Sequence, residues 1–423
     1  MSSRKNDTNK DLNILSLFSG CGGMDIGFEG DFIAHRKSVG SAEDRIDSEV
    51  DGNWVRLRST RFRTIFANDI LKEAREGWIH YMSRFGYPAS TYRHASIVDL
   101  VKAHKQGESV FPEGVDVVTG GFPCQDFSLA GKRKGFESGK NHLGVRITDE
   151  DAPSEETRGK LYCWMKEVVD ITKPKVFIAE NVKGLVNLGD VKDIIQKDFA
   201  RADGDGYIVL PPQVLHAGNY GVPESRERVI FIGIQKNALT ADALQALTSA
   251  DIPAAYNPYP LPTHACTFRD ENLPVPVTLR DVFEGLPEPE QATDLAQQFY
   301  SHAKYMGTHC QGQKEVQLSG IGPTIRSEHH GNIEYRRLSA AHGGTYAAEL
   351  EAGLPERRLT PRECALIQTF PPDYPFIIRK EDKKRFRISS SAAYKIIGNA
   401  VPPMLAYNIA KRIEALWPLY FGV

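Results

Sequence analysis

A short β-branched run, Val115-Asp116-Val117-Val118-Thr119, leads straight into Gly120-Gly121-Phe122-Pro123-Cys124-Gln125-Asp126-Phe127-Ser128. The run reads as a buried strand. A cysteine just beyond the carboxyl end of a strand sits where open α/β sheets place their ligands. Gly120 and Gly121 allow close backbone approach to a substrate, and Pro123 fixes the local φ. A structural thiol normally lies among apolar neighbours, whereas Cys124 is surrounded by Gly, Pro, Gln, Asp and Ser. Structural and reactive readings of Cys124 both stand at this point.

Other strand ends in the chain carry chemistry too. Asn13-Ile14-Leu15-Ser16-Leu17-Phe18 has a buried-strand pattern and runs into Ser19-Gly20-Cys21-Gly22-Gly23, with a helix expected from Met24 to Phe28. Strand, glycine turn and helix form the first nucleotide-binding element of a doubly wound sheet, although Phe-x-Gly-x-Gly-Gly is not the dinucleotide fingerprint. Phe62 to Ala67 reads as a second strand ending in Asn68-Asp69. An acid there grips ribose hydroxyls or caps the next helix, and the two roles are compatible. Ile97 to Ala103 and Lys160 to Ile171 read as helices, and Lys175 to Ala179 as a strand that ends in Glu180-Asn181-Val182. Tyr207 to Val209 and Val229 to Ile234 flank Asn219-Tyr220-Gly221-Val222-Pro223-Glu224-Ser225-Arg226-Glu227-Arg228. The fold class expected is α/β, a doubly wound and mostly parallel sheet with a second, smaller irregular domain.

The 423 residues divide into a disordered tail (1–11), a first domain (12–240), a proline-rich and polar region (241–356) and a return to the first domain (357–423). The return opens with Thr360 as helix cap, Pro361 at the first helical position and Glu363 completing a capping box. Residues 31–61 and 137–156 are polar and read as insertions or surface loops. A net charge of −2 gives no global sign of nucleic acid. Basic groups cluster at Arg56, Arg58, Arg61 and Arg63, in the glycine-flanked loop bearing Lys132, Arg133 and Lys134, and from Arg379 to Arg387. Such clusters can line one cleft. The six cysteines form no CxxC pair, which argues against a zinc ribbon or disulfide framework and suits a reducing cytoplasm. No apolar run reaches the roughly 18 residues of a membrane span.

Taken together, Phe18-Ser-Gly-Cys-Gly-Gly23, Pro123-Cys124-Gln125, Glu180-Asn181-Val182, Arg226-Glu227-Arg228, Arg358-Leu-Thr-Pro-Arg-Glu-Cys364 and Gly398-Asn399-Ala400-Val401 resemble the ordered blocks of DNA (cytosine-5) methyltransferases of bacterial type II restriction–modification systems. They span residues 14–234 and 358–410. The resemblance implies S-adenosylmethionine as methyl donor. Phe18 would stack on the adenine, Gly20, Gly22 and Gly23 would admit the methionine moiety, and Asp69 would bind the ribose. Ile70, Ser96, Ile97, Pro123, Leu161 and Asn399 would complete the pocket. It implies Cys124 as nucleophile and Glu180 as proton donor to N3 of the base. Arg228 would hold O2, the Phe122 carbonyl would read the exocyclic amine, and Asn181 and Ser128 would lie beside the base. Arg226 joins Arg228 as a candidate cation near the thiol. Two departures stand out: Glu224 replaces a frequent Gln, and Ser96 replaces a frequent Asp.

Cytosine C5 is a poor nucleophile, and thiolate addition at C6 activates it. A free thiol of pKa about 8.5 is only slightly ionised at neutral pH, so helpful cations are expected. Glu180 must hold a proton to donate it, so a raised pKa is expected. The base must leave the duplex. Lys132, Arg133 and Lys134 would then meet phosphates. Sequence reading would fall to residues 241–356, where Pro323–Asn332 offers Arg326, His329 and His330 to base edges. No cysteine partners support a metal at the two histidines. The implied partner is double-stranded DNA, with the enzyme acting as a monomer in the bacterial cytoplasm beside a cognate endonuclease. A transfer RNA methyltransferase, an inactive DNA-binding regulator of the same fold and a dinucleotide-dependent oxidoreductase are the alternatives.

Overall fold

A computed structural model of the chain describes residues 10–123, 161–187, 190–302, 315–327, 333–336, 338–382 and 384–422. Cys124, Ser128, Lys132, Arg133, Lys134, His329 and His330 lie outside the described residues, as do the expected insertion 137–156 and residues 1–9 of the expected tail.

Among the described residues, eleven strands precede residue 240: β1 (Leu12–Leu17), β2 (Ile33–His35), β3 (Ile46–Asp51), β4 (Trp54–Leu57), β5 (Phe62–Asp69), β6 (Tyr92–His94), β7 (Val117–Gly121), β8 (Val176–Val182), β9 (Tyr207–Val209), β10 (Gln213–His216) and β11 (Glu227–Gln235). Eight of them form one sheet in the order β10-β11-β8-β7-β1-β5-β6, with β9 also pairing β11. β6, β5, β1, β7 and β8 run parallel, and β11 returns antiparallel against β8. The carboxyl ends of the parallel strands and the amino end of β11 therefore share one edge.

Both faces of this sheet are covered, which is why its central strands read as nearly unbroken apolar runs. Ile14, Val117, Val176, Ile178, Ile230 and Ile232 belong to one apolar cluster, with Trp78 and Trp417 from helices Lys72–Met82 and Pro403–Phe421. Their neighbours Leu15, Val118, Phe177, Ala179, Val229 and Phe231 belong to another, with Val101, Met165 and Phe199 from helices Ile97–Lys105, Leu161–Thr172 and Val191–Ala200. The first cluster continues into Leu279, Ala296, Val316 and Ile325, so part of region 241–356 shares the same core.

The segment expected as an insertion or loop at 31–61 is instead built around a three-stranded antiparallel sheet of order β2-β4-β3. Edge strand β3 is exposed along nearly all its length, and its alternation of Ile46 and Val50 with Asp47, Glu49 and Asp51 is short and weakened by Ser48, so it carries little strand signal. The small sheet is anchored by Trp54 against Val277, Val282 and Leu366, by Lys37 Nζ 2.6 Å from Asp281 Oδ1, and by the His264 ring 2.8 Å from the Lys37 carbonyl. The arginines of this region are occupied within the protein: Arg56 pairs with Asp31, Arg58 donates to the Asp44 carbonyl, Arg61 to the Lys10 carbonyl, and Arg63 faces Glu29 and Asp11.

The closing helix runs from Pro403 to Phe421 and continues through Pro418, because Trp417 and Tyr420 are fully buried. Its amino end lies on the first helix, Gly23–Glu29, where a Cβ on Gly27 would come within 2.5 Å of Ala406 Cβ. The Gly27→Ala variant should lose about 1–3 kcal/mol by overpacking, read as a lowered urea midpoint with an unchanged slope.

Candidate active site

Glu180 stands at the carboxyl end of β8 with 8% exposure. Register explains its partners. Glu180 pairs with Gly121 on one side and Ile230 on the other, and Arg228, two residues along β11, lies on the same face. Arg228 Nε approaches Glu180 Oε1 to 2.8 Å. Burial pushes the Glu180 carboxyl up from its ordinary value, against the pull of Arg228 and then of Arg226. Gly121 leaves the carboxyl its place, since a Cβ on it would lie 2.8 Å from Glu180 Oε2 and would push that side chain aside.

The next residue along, Asn181, ties the strand to the segment entering Cys124. Its Nδ2 donates to the Phe122 carbonyl at 3.2 Å, and its Oδ1 accepts from the Val182 N–H at 2.8 Å. A carbonyl has two lone pairs, so Phe122 keeps one for a further donor. Glu180, Arg228, Asn181, Phe122 and Pro123 are thus brought to one edge, next to the point where Cys124 follows.

On the other side of β7 the glycine turn leaves β1. Phe18 and Gly20 hold left-handed conformations, with φ of 51° and 54°, and no atom lies within 4 Å of the place a Gly20 Cβ would occupy. Gly22 and Gly23 serve packing. A Cβ on Gly22 would sit 2.8 Å from Trp78 Cδ1, and one on Gly23 would overlap the Val401 carbonyl of the closing block. Asp69 ties the glycine turn to the segment after its own strand, and it does not cap helix Lys72–Met82, whose N-cap is Leu71. Asp69 Oδ2 accepts from the Gly20 N–H at 3.1 Å, and its Oδ1 accepts from the Leu71 N–H at 2.9 Å. Ile70 beside it is 40% exposed. Ser96 is buried and caps the helix of Ile97 through the Val98 N–H. Leu161 is buried at the start of its helix, and Asn399 is exposed at the end of helix Ser390–Asn399. The open space at Gly20, the apolar Ile70 and the polar Asp69 and Asn399 suit a nucleoside-bearing ligand with an amino-acid tail. Among the described residues no three His, Cys, Asp or Glu side chains gather as a metal site.

Arg226, fully buried, reaches other segments. Its Nη1 donates to the Ile325 carbonyl at 3.1 Å and lies 3.4 Å from Glu224 Oε1, and its Nη2 donates to the carbonyls of Gly398 at 3.0 Å and Ala400 at 2.7 Å. Arg326 is half-buried beside the closing block, where a Cβ on Gly398 would overlap its carbonyl carbon.

Sequence reasoning missed the support beneath the glycine turn. Asp25 is buried and accepts from Ser16 Oγ and Trp78 Nε1, both at 2.6 Å. Ser19 Oγ donates to Ser16 and accepts from the Asn68 N–H, joining the network to β5. An acid in the first turn of a helix reads as a dipole partner, and nothing local signals its burial. Burial raises the Asp25 pKa to about 6, against the lowering effect of its two donors. A carboxyl raised from 3.8 contributes most to stability below that value and loses the contribution as pH climbs through 6, a swing of about 3 kcal/mol. Asp25→Asn should flatten the fall in urea midpoint between about pH 4 and pH 7. An unchanged profile would show that Asp25 does not drive it.

Comparison with known proteins agrees with this geometry. The model of the C-5 cytosine-specific DNA methylase family matches residues 12–415. Type II methyltransferase M.BsuRI of Bacillus subtilis is 31% identical over 415 residues, 97% of this chain and 80% of that protein. Type II methyltransferase M.BspRI of Lysinibacillus sphaericus is 31% identical over 407 residues, covering 95% and 81%. Among solved structures, a prophage-encoded chain of Escherichia coli aligns with a TM-score of 0.54 at 19% identity, covering 96% of this chain and 99% of that one. A mutant DNMT2 of Spodoptera frugiperda aligns with a TM-score of 0.52 at 18% identity, covering 95% and 99%. These structures share the fold. The sequence matches carry more, and the chain is a cytosine-C5 DNA methyltransferase that belongs to the C-5 cytosine-specific DNA methylase family.

Proposed function

We propose that the enzyme transfers a methyl group from S-adenosylmethionine to C5 of a flipped-out cytosine within a specific double-stranded DNA sequence, through a covalent Cys124–C6 adduct. The observation that carries this is the buried Glu180 carboxyl, 2.8 Å from Arg228 at the edge where the Cys124 segment begins. The Cys124 thiolate adds to C6 while Glu180 gives its proton to N3, so the ring gains nucleophilic character at C5 without accumulating charge. Arg228 holds O2. The Phe122 carbonyl accepts from the exocyclic amine, steadied by Asn181, and Ser128 stands in the same stretch. Bound at the glycine turn, the cofactor supplies an electrophilic methyl on a sulfonium. With the methyl on C5 and the sulfonium's bonding electrons left on S-adenosylhomocysteine, Glu180 would take back the N3 proton, a base would remove the C5 proton, and the Cys124 sulfur would depart with its bonding electrons.

For the cofactor, Gly20 provides room, and Phe18, Ile70, Ile97, Pro123 and Leu161 provide apolar surface. Asp69 keeps a free lone pair on each oxygen for a ribose hydroxyl. Ser96 is engaged as a helix cap, so its contact with the adenine is weaker than an acid would make. Asn399 closes the pocket. Gly22 and Gly23 hold the shape of the turn. Lys132, Arg133, Lys134, Arg326, His329 and His330 meet DNA, with residues 241–356 reading the sequence. A single flipped base needs one site, so the enzyme acts as a monomer. Relatives named Type II methyltransferases support a restriction–modification setting with a separate endonuclease. No described helix is long and apolar enough to cross a membrane, in keeping with a bacterial cytoplasmic location.

Incubation with tritium-methyl S-adenosylmethionine and unmodified genomic DNA should place label in 5-methylcytosine. The Cys124→Ser variant should give none while binding cofactor nearly as wild type does. In a parallel incubation with transfer RNA, label there and none on DNA would redirect the substrate, and no label on either with cofactor bound would favour a regulator. Glu180→Gln should slow transfer by roughly 10²–10⁴-fold with little change in cofactor affinity. A near-normal rate would remove Glu180 from the chemistry.

A further inference from the structure

The Arg226 side chain touches three stretches of chain that the proposed function assigns to different tasks. It immediately precedes β11, the strand that carries Arg228 to Glu180. Its Nη1 takes the Ile325 carbonyl, in the segment bearing Arg326. Its Nη2 takes the carbonyls of Gly398 and Ala400, which flank Asn399. Glu224 completes the arrangement, since its Oε1 accepts from the Ile325 N–H at 2.7 Å. Both peptide groups of Ile325 are therefore held by side chains of one short block. The same segment is sewn to the block by Ser225 N–H to the Gly322 carbonyl at 2.8 Å, Gly322 N–H to the Pro223 carbonyl at 2.8 Å, and Thr324 Oγ1 to the Ser225 carbonyl.

The two clamped segments also meet each other. A Cβ on Gly398 would overlap the Arg326 carbonyl carbon and stand 2.5 Å from the Ser327 nitrogen. Backbone packs directly on backbone, with no flexible side chain between to absorb a shift. Asn399 and Arg326 thus sit on rigid neighbours. A buried guanidinium and carboxylate are costly to desolvate, and simple packing of two loops does not require them. A planar fork with donors on both nitrogens is what three carbonyls from two segments do require.

We propose that Arg226, with Glu224, is a positioning residue that couples cofactor binding at Asn399 to DNA engagement at the Arg326 segment. The two ligands follow from the function proposed above. Force on the Arg326 segment from DNA passes through the Ile325 peptide and Arg226 to the Gly398 and Ala400 carbonyls, and cofactor held by Asn399 acts back along the same path. Coupling of this kind is reciprocal.

The test measures affinity for S-adenosylhomocysteine by calorimetry, with and without a duplex carrying the site mapped from methylated genomic DNA. The same titrations run in reverse give duplex affinity with and without the cofactor product. Wild type should show tightening in both directions by a common factor, on the order of tenfold. Arg226→Lys, which keeps the charge but loses the fork, should reduce that factor to near unity while each ligand still binds alone. Glu224→Gln keeps one acceptor for the Ile325 N–H and should retain most of the coupling. If Arg226→Lys does not fold, Gly398→Ala perturbs the same contact from the other side and should lower the factor. A wild type without coupling, or an Arg226→Lys enzyme that keeps it, would overturn the proposal. Failure to bind S-adenosylhomocysteine at all would count instead against the proposed function.

Discussion

The Glu180 carboxyl is almost wholly removed from water at the end of a parallel strand, and most of the site is arranged around it. Burial raises its pKa, the Arg228 guanidinium at 2.8 Å opposes that rise, and the balance stands above the ordinary value. The glycine at 121 leaves room for the carboxyl in this position. Asn181 then fixes the Phe122 carbonyl, so the segment entering Cys124 leaves β7 at a set distance from the acid. One register, Gly121 to Glu180 to Ile230, brings acid and cation together from strands far apart in the chain.

A second constraint is the return of the chain's end to its beginning. The Val401 carbonyl fills the space a Gly23 side chain would need, and the Tyr374 hydroxyl donates to the Cys21 carbonyl at 2.8 Å. The turn expected to admit the methionine moiety is thus shaped from behind by residues more than 300 positions away. Asp25, Ser16, Ser19, Asn68 and Trp78 brace it from below through neutral donors. Asp25 therefore bears the desolvation cost that raises its pKa, a cost located beside the ligand site, where rigidity is useful.

How much of this was legible depended on the kind of contact. Parallel strands covered on both faces produce unbroken apolar runs, so Leu12–Leu17, Phe62–Asp69, Val117–Gly121 and Val176–Val182 stood out within a residue or two. The Thr360 capping box was equally plain, because Thr, Pro and Glu each have a local reason to be there. The small sheet of 33–57 was not legible, since β3 is short, exposed and only weakly alternating and is held by the neighbouring β4 and its anchors. β10 was missed for a related reason: Gln213 and Val214 are exposed at the sheet's end.

Arg226 shows the deepest limit. As one half of Arg-x-Arg it looked like a partner for Arg228, but it stands just before β11 begins. Its partners are backbone carbonyls at 325, 398 and 400, and a carbonyl leaves no trace in a sequence because every residue has one. The residues alone determined which strands form the sheet and which reactive groups stand at its carboxyl edge, since apolar runs and chemically distinctive side chains are written one position at a time. Only the tertiary structure decided which of those groups face the reaction and which hold distant segments together, because that depends on where the backbone returns.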